Sequence, residues 1–200
     1  ALVLLAAVGT AWYMTRQPSV VSGNADDWNL AVSQQLTNKA GTEYFPSMSP
    51  DGKSFVYAAD SNGRFDIYLQ RIGGKNATNL TEAVEGDQTQ PAFSPDGEQI
   101  AFRSEHDGGG IFVMGTTREN IRRVSENGFH PSWSPDGTRL VMSTFGRDRP
   151  TVRENGDHGL LSVDIATGSK KEIFRGMGSF PTWSPKGDRI AFWVYAKSVG

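Results

Sequence analysis

The carboxylates Asp51, Asp96 and Asp136 and the histidines His106, His130 and His158 are the side chains that first suggest a reactive site. Acids and imidazoles that converge can pass a proton or hold a metal. Their spacing argues against both. Each aspartate stands in the same local context, Ser-Pro-Asp-Gly, so it belongs to a repeated turn and not to one catalytic set. The histidines lack the spacing of metal ligands. Gly-x-Ser-x-Gly, His-Glu-x-x-His and a phosphate-cradling glycine loop are absent, and Gly108-Gly109-Gly110 reads as a turn. With no cysteine, the chain has no disulfides and no thiolate ligands. The expectation is that these 200 residues hold no catalytic group, no metal and no cofactor.

The elements that carry these residues recur. Phe45-Pro46-Ser47-Met48-Ser49-Pro50-Asp51-Gly52 is followed by Gln90-Pro91-Ala92-Phe93-Ser94-Pro95-Asp96-Gly97. The third copy is His130-Pro131-Ser132-Trp133-Ser134-Pro135-Asp136-Gly137, and the fourth is Phe180-Pro181-Thr182-Trp183-Ser184-Pro185-Lys186-Gly187. The motif serines lie 45, 40 and 50 residues apart. In each copy proline presets φ, Asp or Lys takes the next position, and glycine supplies the positive φ that closes a tight turn. Pro50, Asp51, Gly52, Pro95, Asp96, Gly97, Pro135, Asp136, Gly137, Pro185 and Gly187 are therefore structural turn residues. Short apolar strands follow each turn at Ser54–Ala58, Gln99–Arg103, Arg139–Ser143 and Arg189–Val194. Second strands are expected at Asp66–Gln70, Gly110–Met114 and Gly159–Asp164, and third ones at Ala77–Thr81, Ile121–Ser125 and Lys171–Phe174. Met48, Phe93, Trp133 and Trp183 mark one buried face of the strand before each turn.

A unit of roughly 40–45 residues with four short antiparallel strands is the size of one propeller blade. Such a blade cannot bury both faces alone, so neighbours must stack. The fold class expected is all-β: a β-propeller fragment of about four four-stranded antiparallel blades, the last incomplete, preceded by a hydrophobic helix. Blades are expected near 35–80, 81–124, 125–173 and 174–200, with the insertion Arg147–His158 extending an outer hairpin of the third. An incomplete ring would leave an apolar blade face open at each end.

The loops entering each first strand are expected to approach the channel of such a ring. They are Glu43–Phe45, Asp87–Gln90, Gly128–His130 and Gly178–Phe180. Glu43, Tyr44, Phe45, Asp87, Gln90, Phe129, His130, Ser179 and Phe180 are thus the candidate residues for binding a ligand or partner.

The pattern Pro-x-(aromatic)-Ser-Pro-Asp-Gly, followed by strands such as Gln99-Ile100-Ala101-Phe102, resembles the TolB-like (WD40-like) β-propeller repeat. Ile67-Tyr68, Ile111-Phe112, Leu36-Thr37 and Leu80-Thr81 fit the same repeat. The likeness covers about residues 35–200, and Lys186 departs from it where Asp is usual. It implies a six-bladed ring, hence further blades, and a binding role without chemistry. Asp66–Asn76 and Gln90–Gly110 are similar to the C-terminal propeller of bacterial membrane-anchored serine/threonine protein kinases. Propellers of membrane-anchored winged-helix regulators, free periplasmic TolB-type interaction modules and prolyl-oligopeptidase-like peptidases are the alternatives.

The apolar run Ala1–Met14 is expected to end a transmembrane helix or form a signal segment, with a polar linker at 15–34. That arrangement places the repeats outside the cytoplasm, membrane-anchored or free in the periplasm. Charged residues are 21% and net charge is −2, so no basic field advertises a nucleic acid. A protein, a peptide or a small ligand is the partner expected, with the membrane engaged only through the N-terminal segment.

Overall fold

Within each sheet every described strand is joined to its sequence neighbour by an antiparallel ladder, as the tight turns require. The structure is a computed structural model that describes residues 33–38, 41–61, 63–146 and 158–194. The run Ala1–Met14, nearly all of the linker and residues 147–157 of the third-repeat insertion lie outside the described residues.

The first sheet contains β1 (Glu43–Met48), β2 (Ser54–Ser61), β3 (Arg64–Arg71) and β4 (Ala77–Asn79) in that order. The second contains β5 (Gln88–Phe93), β6 (Gln99–Ser104), β7 (Gly110–Gly115) and β8 (Arg122–Ser125). The third contains β9 (Phe129–Trp133), β10 (Arg139–Ser143), β11 (Gly159–Asp164) and β12 (Lys170–Arg175). A two-stranded sheet, β13 (Gly178–Trp183) and β14 (Ile190–Val194), completes the described residues. The architecture is all-β, with four-stranded antiparallel sheets of the kind that make propeller blades.

The sheets stack by alternation. Val56 and Ala58 of β2 and Ile67 of β3 meet Ile100, Phe102, Phe112 and Met114 of the second sheet. The opposite face of that sheet, Ala101, Ile111 and Val113, meets Trp133, Leu140, Met142 and Val163. Successive side chains of one strand thus serve two different cores. The same rule corrects one expectation. Trp133 is buried and its indole Nε1 donates to Ala92 O over 3.0 Å, yet Met48 at the matching place is 51% exposed. That face of each first strand looks toward the preceding sheet, and β1 has no such neighbour among the described residues.

Four identical turns close the inner hairpins. Gly52, Gly97, Gly137 and Gly187 each donate their N–H to the motif serine carbonyl at 2.9 Å, with φ between 68° and 76°. The serine Oγ accepts the N–H of Ser54, Gln99 or Arg139 at 2.9 Å, and of Arg189 at 3.1 Å. Its proton goes to Asp51, Asp96 or Asp136. In the fourth turn, where Lys186 stands at the aspartate position, Asp188 accepts it instead at 2.8 Å. The turns also stack on one another. An alanine Cβ at Gly97 would lie 3.3 Å from Pro50 Cδ, so Gly97 makes room for the preceding proline as well as supplying the positive φ.

The Ser134 hydroxyl, followed by the Thr138 N–H and hydroxyl, lowers the Asp136 carboxyl to about 2. Asp51 and Asp96 are lowered by the same serine and backbone donors. A depressed carboxylate contributes stability that is complete above its unfolded value, about 3.9. That contribution is lost as pH falls through the folded one. The melting-temperature gap between wild type and Asp136→Asn is therefore expected to narrow between about pH 4 and pH 2. Circular dichroism melts across that range check it, and a constant gap would assign the loss to something other than the charge.

Candidate functional site

Each first strand carries the same irregularity one residue before its second-position proline. Phe45, Gln90, His130 and Phe180 have φ of 54°, 54°, 52° and 51°, in the left-handed region that non-glycine residues rarely enter. The ladder register breaks at the same place, between Tyr44 and Ser47, Thr89 and Ala92, and Ser179 and Thr182. Proline has no N–H for the ladder, so the strand bulges there and the preceding side chain is re-aimed. Four sheets repeat the device, and their bulge side chains converge.

The convergence is a chain of rings. Phe65 and Tyr44 lie 5.7 Å apart between centroids, Tyr44 and Phe45 5.9 Å, and Phe45 and His130 5.9 Å. His130 then lies 3.9 Å from Phe180, which lies 5.3 Å from Trp193. All five are tilted arrangements, which suit ring quadrupoles. Gln90 is the one bulge residue without a ring. Its Oε1 accepts the His130 N–H at 2.7 Å and so ties the second sheet to the third. Tyr44 and Trp193, at 51% and 65% exposure, carry the array to the surface.

The remaining expected site residues go elsewhere. Asp87 Oδ1 accepts the Phe65 N–H at 2.9 Å, clamping the first sheet to the second. The Thr37 hydroxyl donates to Glu43 Oε2, whereas Oε1 is buried without a partner. Tyr57 stands next to Glu43 and is pushed up to about 12 by burial, by the Glu43 charge and by Tyr68. Phe129 lies under the Arg103 guanidinium, 4.5 Å from the ring centroid. Arg103 is also paired with Glu105 at 2.7 Å and donates to Gly128 O at 3.3 Å. Ser179 is fully buried, with no partner for its hydroxyl.

Trp193, Phe65 and Arg103 were not among the expected site residues. Trp193 sits in a strand that reads as plain core, and only the stacking of sheets brings it to Phe180. Among the described residues no group of three or more His, Cys, Asp or Glu could hold a metal ion. No described helix is long and apolar enough to cross a membrane.

The comparisons with known proteins agree with the repeat. The model of the TolB beta propeller domain matches residues 27–159. An uncharacterised protein of Agrobacterium fabrum is 32% identical over 80% of this chain and 58% of its own length. The Tol-Pal system protein TolB of Francisella tularensis subsp. mediasiatica is 28% identical over 86% of this chain and 50% of its own. The chain spans about half the length of the curated relatives it matches. The crystal structure of TolB from Acinetobacter baumannii superposes with a TM-score of 0.63 at 25% identity, covering 78% of this chain and 39% of that one. These relatives are TolB proteins and an uncharacterised protein, not kinases, so the kinase parent implied by Asp66–Asn76 and Gln90–Gly110 has no support from them. With its repeated Ser-Pro-x-Gly turns and stacked four-stranded sheets, the chain belongs to the TolB beta propeller domain family.

Proposed function

We propose that the chain is a non-catalytic protein-interaction module of the bacterial periplasm, a reading supported by its likeness to proteins named Tol-Pal system protein TolB. One observation carries the reading: four left-handed bulges bring Phe45, Gln90, His130 and Phe180 together and extend them to exposed rings at Tyr44 and Trp193. Rigid aromatic side chains bind a partner segment with little loss of conformational freedom, which makes them frequent anchors in interfaces. A protein or peptide presenting an apolar side chain to this array is the partner expected. The apolar run Ala1–Met14 is in keeping with export, as a cleaved leader or as a membrane anchor.

The test is selection of peptides from a displayed library on the wild-type chain, followed by titration against Phe45→Asn/Phe180→Asn. Asparagine tolerates positive φ, so the bulges stay while the rings go. Selected peptides are expected to bind the variant at least about tenfold more weakly, a loss of about 1.4 kcal/mol. Equal affinity for both proteins would move the binding surface away from the array.

A further inference from the structure

Because the ladders are antiparallel, the starts of the first and third strands of each sheet share one edge with the ends of the second and fourth. At that edge the first three sheets are joined. Asp87 accepts the Phe65 N–H across the first junction, and Arg103 donates to Gly128 O across the second. The bulges at Phe45, Gln90 and His130 lie just inside it, at the second or third residue of β1, β5 and β9.

This edge carries more negative charge than it neutralises. Three guanidiniums reach it, and each is taken up by an acid: Arg64 by Asp66 at 3.5 Å, Arg103 by Glu105 at 2.7 Å and Arg123 by Asp107 at 4.0 Å. Asp60, Glu82, Glu85, Asp87 and Glu126 stand at the same edge, exposed, and form no ion pair among the described residues. No lysine stands in 60–64, 82–87, 105–109 or 126–128 to offset them. The whole chain has a net charge of only −2, so the excess belongs to this edge and not to the composition.

Gln88 is an independent sign of what the edge receives. It is completely buried, and its Nε2 donates to Glu85 O at 2.9 Å and Gly86 O at 3.1 Å. Both amide hydrogens are thus spent on the acidic loop, while Oε1, the other arm of the same amide, is buried at its foot without a partner. An unmet buried acceptor costs stability, and a hydrogen-bond donor is what relieves it. The rings point the same way. Phe65, whose N–H Asp87 holds, is one end of the ring chain, and aromatic faces attract cations.

We propose that the segment received by the ring array is basic: a stretch of a partner protein in which lysine or arginine side chains flank the apolar residue that meets the rings. The inference rests on the interaction reading given above and names the charge of the partner. Lysine and arginine only donate, which matches carboxylates and an amide oxygen that only accept. Each exposed pair adds little to affinity, but together the carboxylates draw a cationic segment in and repel an acidic one. Their effect therefore falls on association, whereas the rings act on residence.

Peptides selected from a displayed library on the whole chain, followed by stopped-flow fluorescence, test this. The selected peptides are expected to be enriched in Lys and Arg beside an aromatic or aliphatic residue. Glu82→Gln/Glu85→Gln/Glu126→Gln removes three exposed charges, and a circular dichroism spectrum matching the wild type establishes that it folds. In that variant the association rate constant is expected to fall about fivefold at about 0.05 M salt and hardly at all at about 0.5 M, with dissociation little changed. Phe45→Asn/Phe180→Asn is expected to speed dissociation at both salts. Selected peptides with no basic excess, or association at low salt that the glutamine variant leaves unchanged, overturn the basic partner; the ring array stands if Phe45→Asn/Phe180→Asn still weakens those peptides. Peptides indifferent to the ring variant, or a library that yields no binder, overturn the array and the basic partner together.

Discussion

Phe102→Ala is expected to lower the free energy of unfolding by about 3–5 kcal/mol, enough to leave the chain marginally folded. Phe102 is completely buried at the centre of the junction between the first two sheets. Its neighbours Val56, Ala58, Ile67, Ile100 and Phe112 are held in strands whose registers are set by ladders on both sides. They cannot collapse into the space, so the cavity persists and adds to the lost transfer energy. Phe112, whose ring centroid lies 6.0 Å away in a tilted arrangement, loses that contact as well. Urea unfolding followed by tryptophan fluorescence reads the change, since Trp133 is buried in the next core. A loss below about 1 kcal/mol would mean that the sheets are not stacked face to face as described.

Gln90→Val is expected to destabilise by about 2–4 kcal/mol, and Gln90→Gly by clearly less. Both variants delete the acceptor of the His130 N–H, a bond of 2.7 Å between sheets. They differ in the backbone. Valine at a φ of 54° meets the steric penalty of a β-branched side chain in the left-handed region, whereas glycine enters that region freely. The difference between them, about 1–2 kcal/mol, isolates the conformational strain stored at one bulge. Equal losses would mean that the bulge opens when the amide is gone. The peptide-binding comparison then acquires a control: Gln90→Gly should retain the ring chain, because no ring of the array belongs to Gln90.

Much of the architecture is legible in the residues because it is written locally. Ser-Pro-Asp-Gly contains its own turn: proline supplies φ, the serine oxygen receives the glycine N–H, and the aspartate takes the serine proton. The strands around it follow from alternation, and observed β2, β6, β10 and β11 begin at their expected residues. The exposure of Met48 was not legible. Its sequence context matches that of Trp133, and the difference lies in what stands opposite, which no pattern within a repeat encodes. Nor does the sequence separate Asp87 from a ligand-facing acid, because the Phe65 N–H that it receives lies 22 residues away.

For the candidate site the division is sharper. From the sequence alone came the repeat, the turns, the strand order within each sheet and the loops entering the first strands. These depend on φ preferences and side-chain periodicity, which act over a few residues. Tertiary structure alone decided which of nine expected residues meet. Phe45, His130 and Phe180 join Tyr44 and Trp193, while Asp87, Phe129 and Ser179 become fastenings between sheets or buried groups. That choice depends on the left-handed bulge, which turns one side chain per sheet inward, and on the angle at which successive sheets stack. The bulge is set locally by the proline, whereas the stacking is set by contacts between residues about 40 or more apart in the chain, and so by packing instead of local preference.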